Sequence, residues 1–129
     1  MLGDKPVAAT IAVSDLARAR TFYEDVLGLT ATQDLGEAVI YSSGPSMVFV
    51  YASEFAGTNK ATSATWGVGD DFDAVVQALR DKGVTFERYD NLPGTTRDGD
   101  VHTFGESGMR GVWFKDPDGN ILNVGNAAV

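Results

Sequence analysis

Two stretches of the chain repeat one pattern of apolar and polar positions. In each stretch a short apolar segment is followed by an acidic residue, a helical pattern and a glycine. The matching residues, 55 positions apart in each pair, are Ala9/Ala64, Thr10/Thr65, Val13/Val68, Asp15/Asp70, Ala19/Ala74 and Gly28/Gly83. Because a fixed period is the signature of a repeated supersecondary unit, the pattern predicts two structural modules.

Apolar residues recur at helical spacing within each copy. Asp15 and Asp70 are suited to cap the helix N-termini, and Gly28 and Gly83 suit the left-handed position that follows a helix. The apolar stripes are Leu16, Ala19, Phe22, Tyr23, Val26 and Leu27 in the first copy, and Phe72, Val75, Val76 and Leu79 in the second. Each helix therefore has one face to bury, and we expect it to pack on its own sheet.

Strand-like segments separated by turn residues follow each helix. They are Leu29–Gln33, Ala38–Ser42 and Met47–Ala52 in the first copy, and Val84–Tyr89, Arg110–Lys115 and Ile121–Val124 in the second, with a polar, glycine-rich segment over 91–108. The prediction is an α+β fold over residues 1–129, built from two tandem βαβββ modules at about 6–55 and 62–127 joined by a linker at about 54–62. Curved mixed sheets would enclose a cavity, with the helices outside.

Strand alternation predicts which side chains face this cavity, since successive residues point to opposite faces. Ile11 and Val13 should meet the first helix, which turns Thr10 inward. The predicted ligand-binding residues are Thr10, Met47, Phe49, Tyr51, Ser63, Thr65, Trp113 and Asn123. Small polar groups and aromatic walls suit a flat or amphipathic organic ligand. The alternative is that Met47, Phe49 and Tyr51 simply fill the core.

The amino-acid composition excludes several kinds of active site and partner. The chain has 129 residues, a net charge of −8, no cysteine and one histidine, His102. Disulfides, thiolate metal sites and a Cys nucleophile are excluded, and one chain cannot supply two imidazoles to a metal. The acidic balance argues against a nucleic-acid partner. The sequence has no apolar run of membrane-spanning length and no signal-like segment, so we expect a cytoplasmic protein without a membrane partner.

His102 and Glu106 are the candidate catalytic residues. His102 is predicted to lie in a polar loop near Arg97, Asp98 and Glu106. A histidine oriented by a carboxylate is suited to general acid–base chemistry. The alternative is that His102 is a solvated loop residue and Glu106 a surface charge.

The chain resembles the vicinal oxygen chelate superfamily, which includes glyoxalases, bleomycin-resistance proteins and dioxygenases, over essentially its whole length. The residues that carry the resemblance are Val13–Leu16, the FYxxxLG run Phe22–Gly28, Gly67–Asp71, Leu79–Val84, and Trp113 followed by the FxDPDGN turn Phe114–Asn120. The resemblance implies the paired βαβββ fold and often a homodimer. It does not define a function, because such folds support several chemistries.

Metal-dependent members of the superfamily place ligands at positions that the resemblance transfers to Ala8, Ser63 and Asn123, and to Phe49 or a neighbour. None of these residues is a strong anionic or imidazole donor. We therefore expect no metal site and no cofactor.

Three functions are compatible with this sequence. The favoured one is a metal-free protein that binds a small organic ligand, such as an aromatic or cationic compound, by sequestration. The second is a glyoxalase-like lyase or isomerase, or a dioxygenase-like enzyme, with an atypical active site. The third is an interaction module whose ligand cavity is filled.

Overall fold

The computed structural model describes residues 1–127. Its helices are α1 (Leu16–Arg20), which continues as a π-helical segment (Thr21–Val26), and α2 (Phe72–Asp81), preceded by a 3₁₀ turn (Gly69–Asp71). Its strands are β1 (Ala9–Val13), β2 (Thr30–Asp34), β3 (Ala38–Ser43), β4 (Ser46–Ala52), β5 (Thr62–Gly67), β6 (Phe86–Glu87), β7 (Thr95–Asp98), β8 (Val101–Phe104), β9 (Met109–Lys115) and β10 (Ile121–Gly125). The α+β class and the two tandem modules are confirmed. Within residues 1–127, no helix is long and apolar enough to cross a membrane.

The chain divides into two compact units. Unit 1 contains Met1–Ser63 together with the turn Asp116–Asn120, and unit 2 contains Ala64–Lys115 and residues 121–127. The turn that joins β9 to β10 is thus part of unit 1, although both strands belong to unit 2.

Unit 1 contains a four-stranded sheet in the order β1-β4-β3-β2. β1 runs parallel to β4, with Ile11 opposite Val50, and β3 runs antiparallel to β4. One face of the sheet and the buried side of the helix form the core of the unit; its members are Ile11, Val13, Ala19, Tyr23, Val39, Tyr41, Val48 and Val50. The predicted alternation of β1 is confirmed, since Ile11 and Val13 are buried and Thr10 is exposed.

Two of the segments that carry the superfamily resemblance, the FYxxxLG run and the FxDPDGN turn, meet inside unit 1. The buried Tyr23 hydroxyl donates a hydrogen bond of 2.8 Å to the Asp116 carboxylate. Asp116 also accepts from the backbone N–H groups of Asp118 and Asn120, and the Asn120 amide donates to the Ala12 carbonyl oxygen at 2.7 Å. Burial raises the pKa of Tyr23, and the negative charge of Asp116 raises it further. The motifs thus form a buried cross-link that secures the turn to β1 and the helix.

Unit 2 contains a sheet in the order β5-β10-β9-β8-β7, and the short β6 also pairs with β9. Its core consists of Val112, Phe114, Leu122 and Val124 from the sheet, Phe72, Val76 and Leu79 from α2, and Phe86. Phe86 meets Phe114 edge-to-face, with 6.0 Å between the ring centroids. Of the apolar stripe predicted for α2, Phe72, Val76 and Leu79 are buried and Val75 is half-buried.

The segment expected to be a polar loop contains a β-hairpin instead. β7 and β8 pair antiparallel, with Arg97 opposite His102, and Gly99 adopts a φ of 60° at the turn. The strands are only four residues long and carry few apolar residues, so their alternation is weak in the sequence. β8 lies beside β9, whereas the strand expected over 84–89 is reduced to Phe86–Glu87.

The predicted helix ends are confirmed in three of four cases. Asp15 caps α1, since its side chain accepts from the Arg18 backbone N–H at 3.1 Å. Gly28 and Gly83 have φ values of 75° and 87°. The cap expected at Asp70 is wrong, because Asp70 lies within the 3₁₀ turn that precedes α2 and the residue at the N-cap of α2 is Asp71.

Candidate functional site

Each sheet has a second face, opposite the core, and in unit 1 this face is mainly apolar. The register places Thr10 beside Phe49 and Ala12 beside Tyr51. Met47 and Tyr51 are 44% and 39% exposed, so these two side chains do not fill the core of the unit. A cavity of about 390 Å³ lies near the β3–β4 turn, lined by Pro6, Val7, Ala8, Pro45, Ser46, Met47 and Phe49. None of its lining side chains is charged.

The corresponding face of unit 2 is shaped by glycines. Asn123 lies opposite Trp113, and Gly125 lies opposite Gly111, on neighbouring strands. A cavity of about 130 Å³ is lined by Thr65, Gly67, Phe104, Met109, Arg110, Gly111, Trp113, Asn123, Gly125 and Ala127. Gly67, Gly111 and Gly125 form what we call the glycine floor, because no side chain rises there into the cavity.

Close packing at Gly111 explains the absence of a side chain there. A Cβ atom at Gly111 would lie 3.2 Å from the Asn123 amide nitrogen and 3.6 Å from the Trp113 ring. At Gly125 a Cβ would meet the Arg110 carbonyl oxygen at 3.5 Å, an ordinary van der Waals contact. Asn123 is itself oriented, since its amide donates to the Val112 carbonyl oxygen at 3.0 Å.

Trp113 forms the aromatic wall of the unit 2 cavity. Its ring packs edge-to-face against His102, with the centroids 5.0 Å apart, and edge-to-face against Tyr89 at 5.8 Å. The ring of Phe104 lies tilted at 6.0 Å. These distances and angles are typical of favourable aromatic pairs. The wall is therefore held by neighbouring rings on two other segments of the unit.

His102 is buried below this wall and not solvated in a loop. Its exposed fraction is 0%, and its Nε2 accepts a 3.0 Å hydrogen bond from the Tyr89 backbone N–H. Within residues 1–127, no hydrogen-bond partner reaches its Nδ1. Glu106 is exposed after β8. Neither candidate catalytic residue lines either of the two cavities described above.

The predicted ligand-binding residues divide between the two units. Thr65, Trp113 and Asn123 line the unit 2 cavity, and Met47 and Phe49 line the unit 1 cavity. Thr10, Tyr51 and Ser63 line neither. Strand alternation in the sequence also turns Gly67 toward the cavity, but sequence reasoning missed Phe104, Met109, Gly111 and Gly125. Alternation along the β8–β9 hairpin, which sets Phe104 opposite Met109, is the signal that could have found the first two.

Arg110 is the charged residue at the unit 2 cavity, and its guanidinium is already engaged. It pairs with Asp73 at 3.0 Å and lies 4.7 Å from the centroid of the Phe72 ring. In the same unit, burial raises the pKa of Asp100, but hydrogen bonds from Arg80 and Arg88 outweigh it and lower the pKa overall. These pairs place fixed charges near the surface of the unit and leave the cavity lined mainly by uncharged groups.

The residues at the superfamily's metal positions do not fit a divalent cation. Ala8 and Phe49 offer no donor atom, Ser63 offers a hydroxyl, and the Asn123 amide is oriented by Val112. In the described part of the chain, no group of three or more His, Asp or Glu side chains is arranged to hold a metal ion. No chemical step through a metal is therefore derived from these residues.

The chain belongs to the Glyoxalase/Bleomycin resistance protein/Dioxygenase superfamily, whose family profile matches residues 5–124. The sequence-based identification is confirmed. A search among curated proteins finds no significant match.

Several solved structures share the fold at low sequence identity. A lactoylglutathione lyase from Agrobacterium tumefaciens is 20% identical with a TM-score of 0.69, over 95% of this chain and 94% of that one. The fosfomycin resistance protein FosX from Mesorhizobium loti is 15% identical with a TM-score of 0.67, over 98% and 94%. A glyoxalase family protein from Enterococcus faecalis is 17% identical with a TM-score of 0.71, over 97% and 99%.

Proposed function

We propose that this protein binds, without a metal, a small organic compound that carries a flat ring, and that the ring occupies the unit 2 cavity. The observation that carries the proposal is the combination of the Trp113 wall, the glycine floor and the oriented Asn123 amide in one cavity. A flat floor and an aromatic wall favour stacking, and the amide offers a hydrogen bond that orients the ligand.

The size of the cavity limits the ligand class. Its volume of about 130 Å³ is close to that of an apolar protein cavity of roughly 150 Å³ known to accept benzene. One aromatic or heteroaromatic ring therefore fits, and the remainder of a larger ligand would extend toward solvent. The described lining has no carboxylate, so a cationic substituent would have to lie outside the cavity.

Binding is preferred over catalysis because the lining holds no acid–base pair. The residues predicted to catalyse a lyase or isomerase reaction, His102 and Glu106, do not line the cavity. The engaged Arg110 guanidinium is a poor proton donor or acceptor near neutral pH. Stoichiometric binding without turnover is the expected behaviour.

A thermal-shift screen tests the proposal directly. The purified protein is screened with divalent metals and with aromatic, cationic and dicarbonyl compounds, since a ligand of the folded state raises the melting temperature by mass action. Stabilisation by a ring compound and by no metal is expected. Stabilisation by a metal, or by no compound in the panel, would contradict it.

Variants of the cavity identify where a hit binds. Trp113→Leu and Gly125→Ala should weaken binding measured by calorimetry, whereas Met47→Ala in the unit 1 cavity should not. If Met47→Ala weakened binding and the two unit 2 variants did not, the ligand would bind in unit 1 instead. We also predict a small-molecule partner, a homodimer and a cytoplasmic location. Analytical ultracentrifugation of the purified protein tests the homodimer.

A further inference from the structure

Gly111 and Gly125, which pair where β9 meets β10, differ in the space above them. A Cβ atom at Gly111 would lie 3.2 Å from the Asn123 amide nitrogen and 3.6 Å from the Trp113 ring, so these two side chains already cover that position. A Cβ atom at Gly125 would make only ordinary contacts, the nearest at 3.5 Å. Of the two glycines, Gly125 is therefore the one that a ligand can approach.

The atoms around the open position above Gly125 are hydrogen-bond acceptors. A Cβ atom there would lie 3.5 Å from the Arg110 carbonyl oxygen and 3.9 Å from Asn123 Oδ1. Apart from the chain neighbours of Gly125, no other heavy atom of residues 1–127 lies within 4 Å of this point. The Arg110 oxygen already accepts from the Asn126 backbone N–H at 3.1 Å. No donor from the described part of the chain bonds to Asn123 Oδ1.

We propose that the ligand of the unit 2 cavity is a neutral ring that carries an N–H or O–H group, and that this group donates to Asn123 Oδ1 above Gly125. Rings that carry only acceptors, or no polar group at the edge, would bind more weakly. This inference names the ligand class of the proposed function and rests on it.

The backbone of β9 fixes which end of the Asn123 amide faces the ligand. Its Nδ2 donates to the Val112 carbonyl oxygen at 3.0 Å. Turning the amide over would set Oδ1 against that oxygen, and two acceptors cannot form a hydrogen bond with each other. A ring without a donor would therefore leave Oδ1 desolvated and unpaired. Sites built to hydrogen-bond a ligand group discriminate against analogues that lack it for this reason.

The charges at the cavity favour a neutral donor over a cationic one. The described lining contains the Arg110 guanidinium and no carboxylate, and Arg110 already pairs with Asp73. An ammonium group inside the cavity would be repelled by the guanidinium and would lose its hydration without gaining an anionic partner. A phenolic hydroxyl or a pyrrole-type N–H provides the donor without this cost.

Phenol and fluorobenzene are the probes that test the inference. Their rings are of similar size, and only phenol carries a donor. Each is titrated into ¹⁵N-labelled protein at neutral pH, and the backbone amide signal of Gly125 reports binding in the cavity. Because the two compounds also differ in hydrophobicity, the quantity compared is the ratio of their dissociation constants in wild type and in Asn123→Leu. This ratio should shift about fivefold against phenol in the variant, the factor that corresponds to one hydrogen bond worth about 1 kcal/mol.

Asn91→Ala is the control, because Asn91 is exposed and does not line the cavity. It should keep the wild-type ratio. A ratio that is unchanged in Asn123→Leu would overturn the inference and leave ring binding intact. If ring compounds from the thermal-shift screen bind in the cavity but phenol does not, the inference alone fails. If neither probe and no other ring compound binds, the proposed function and the inference fail together.

A crystal structure of the wild-type protein with phenol tests the same contact without a substitution, so the inference stays testable even if Asn123→Leu does not fold. The phenol oxygen should lie within about 3.0 Å of Asn123 Oδ1, the range of an O–H···O hydrogen bond. A phenol bound in the cavity with its hydroxyl directed away from Asn123 would overturn the inference.

Discussion

The two units share the strand arrangement of their repeated module and differ on the sheet face away from the helix. Unit 1 is ordered β1-β4-β3-β2, whereas unit 2 is ordered β5-β10-β9-β8-β7, with β6 also paired with β9. The helix-side face is apolar and buried in both. On the opposite face, unit 1 carries Met47, Phe49 and Tyr51, whereas unit 2 carries Gly111, Trp113, Asn123 and Gly125. The repeated architecture constrains the core face and leaves the other face free to differ.

The difference determines where each cavity lies. Large side chains cover the middle of the unit 1 face, and its cavity lies beside the β3–β4 turn and the residues preceding β1. In unit 2 the middle of the face carries glycines, which leave space above the sheet. The unit 2 cavity therefore lies on the central strands β9 and β10. A site on paired central strands is supported by backbone hydrogen bonds on both sides, which favours a fixed geometry for recognition.

The largest effect should come from the cross-link that unit 1 possesses. Asp116→Ala removes the acceptor for Tyr23, Asp118 and Asn120, leaving buried donors unsatisfied. The free energy of unfolding should fall by about 3 kcal/mol or more. Chemical denaturation measures this, with Asp98→Ala on the exposed side of β7 as the control. Equal losses in the two variants would show that the cross-link contributes little.

Next in size is the effect of the aromatic wall on binding. Trp113→Leu should weaken binding of a ring compound about tenfold or more, since ring stacking and apolar burial are lost together. Phe49→Leu, the matched change in the unit 1 cavity, should leave affinity within about twofold of wild type. Calorimetric titration distinguishes them, and comparable losses would remove the proposed contrast between the units.

Filling the glycine floor should give a smaller loss of affinity. Gly125→Ala places a methyl group in the unit 2 cavity with ordinary contacts to its neighbours. Affinity should fall about fivefold, while stability changes by less than about 1 kcal/mol. Gly3→Ala, where a Cβ meets nothing within 4 Å, is the control. Unchanged affinity in Gly125→Ala would mean that the ligand does not approach the floor.

The smallest effect concerns the hydrogen-bonded group Arg20, Glu24 and Tyr41 of unit 1. The hydrogen bond from Arg20 lowers the pKa of Glu24, to which Tyr41 also donates. A lowered carboxyl pKa contributes stability above the ordinary range of glutamate, and this contribution is lost as pH falls through the folded-state value.

The test is denaturation of Glu24→Gln and wild type between about pH 7 and pH 3. The stability difference should be small and should shrink toward acid. Asp25→Asn, at the exposed neighbouring position, is the control. A difference that grows on acidification would contradict the sign assigned here.

Local sequence patterns determined much of the fold. The 55-residue repeat, the glycines after each helix and the DPDGN turn predicted the two modules, because helix periodicity, positive φ and turn formation depend on residues close in sequence. The Asp70 cap failed for a local reason as well, since a 3₁₀ turn replaced the expected start of α2. The chemistry of the superfamily's metal positions could likewise be evaluated from residue identity alone.

Contacts between residues distant in the sequence were decided by the tertiary structure alone. Tyr23 and Asp116 are 93 positions apart, and their hydrogen bond depends on the placement of the β9–β10 turn in unit 1. The sequence predicts that His102 lies in a polar loop. Pairing of β7 with β8 instead buries it beside Trp113. The glycine floor arises only when the β9–β10 register sets Gly111 opposite Gly125. Pairing register is a long-range property that short-range periodicity does not encode. The sequence therefore specified the modules, and the tertiary structure specified the two cavities.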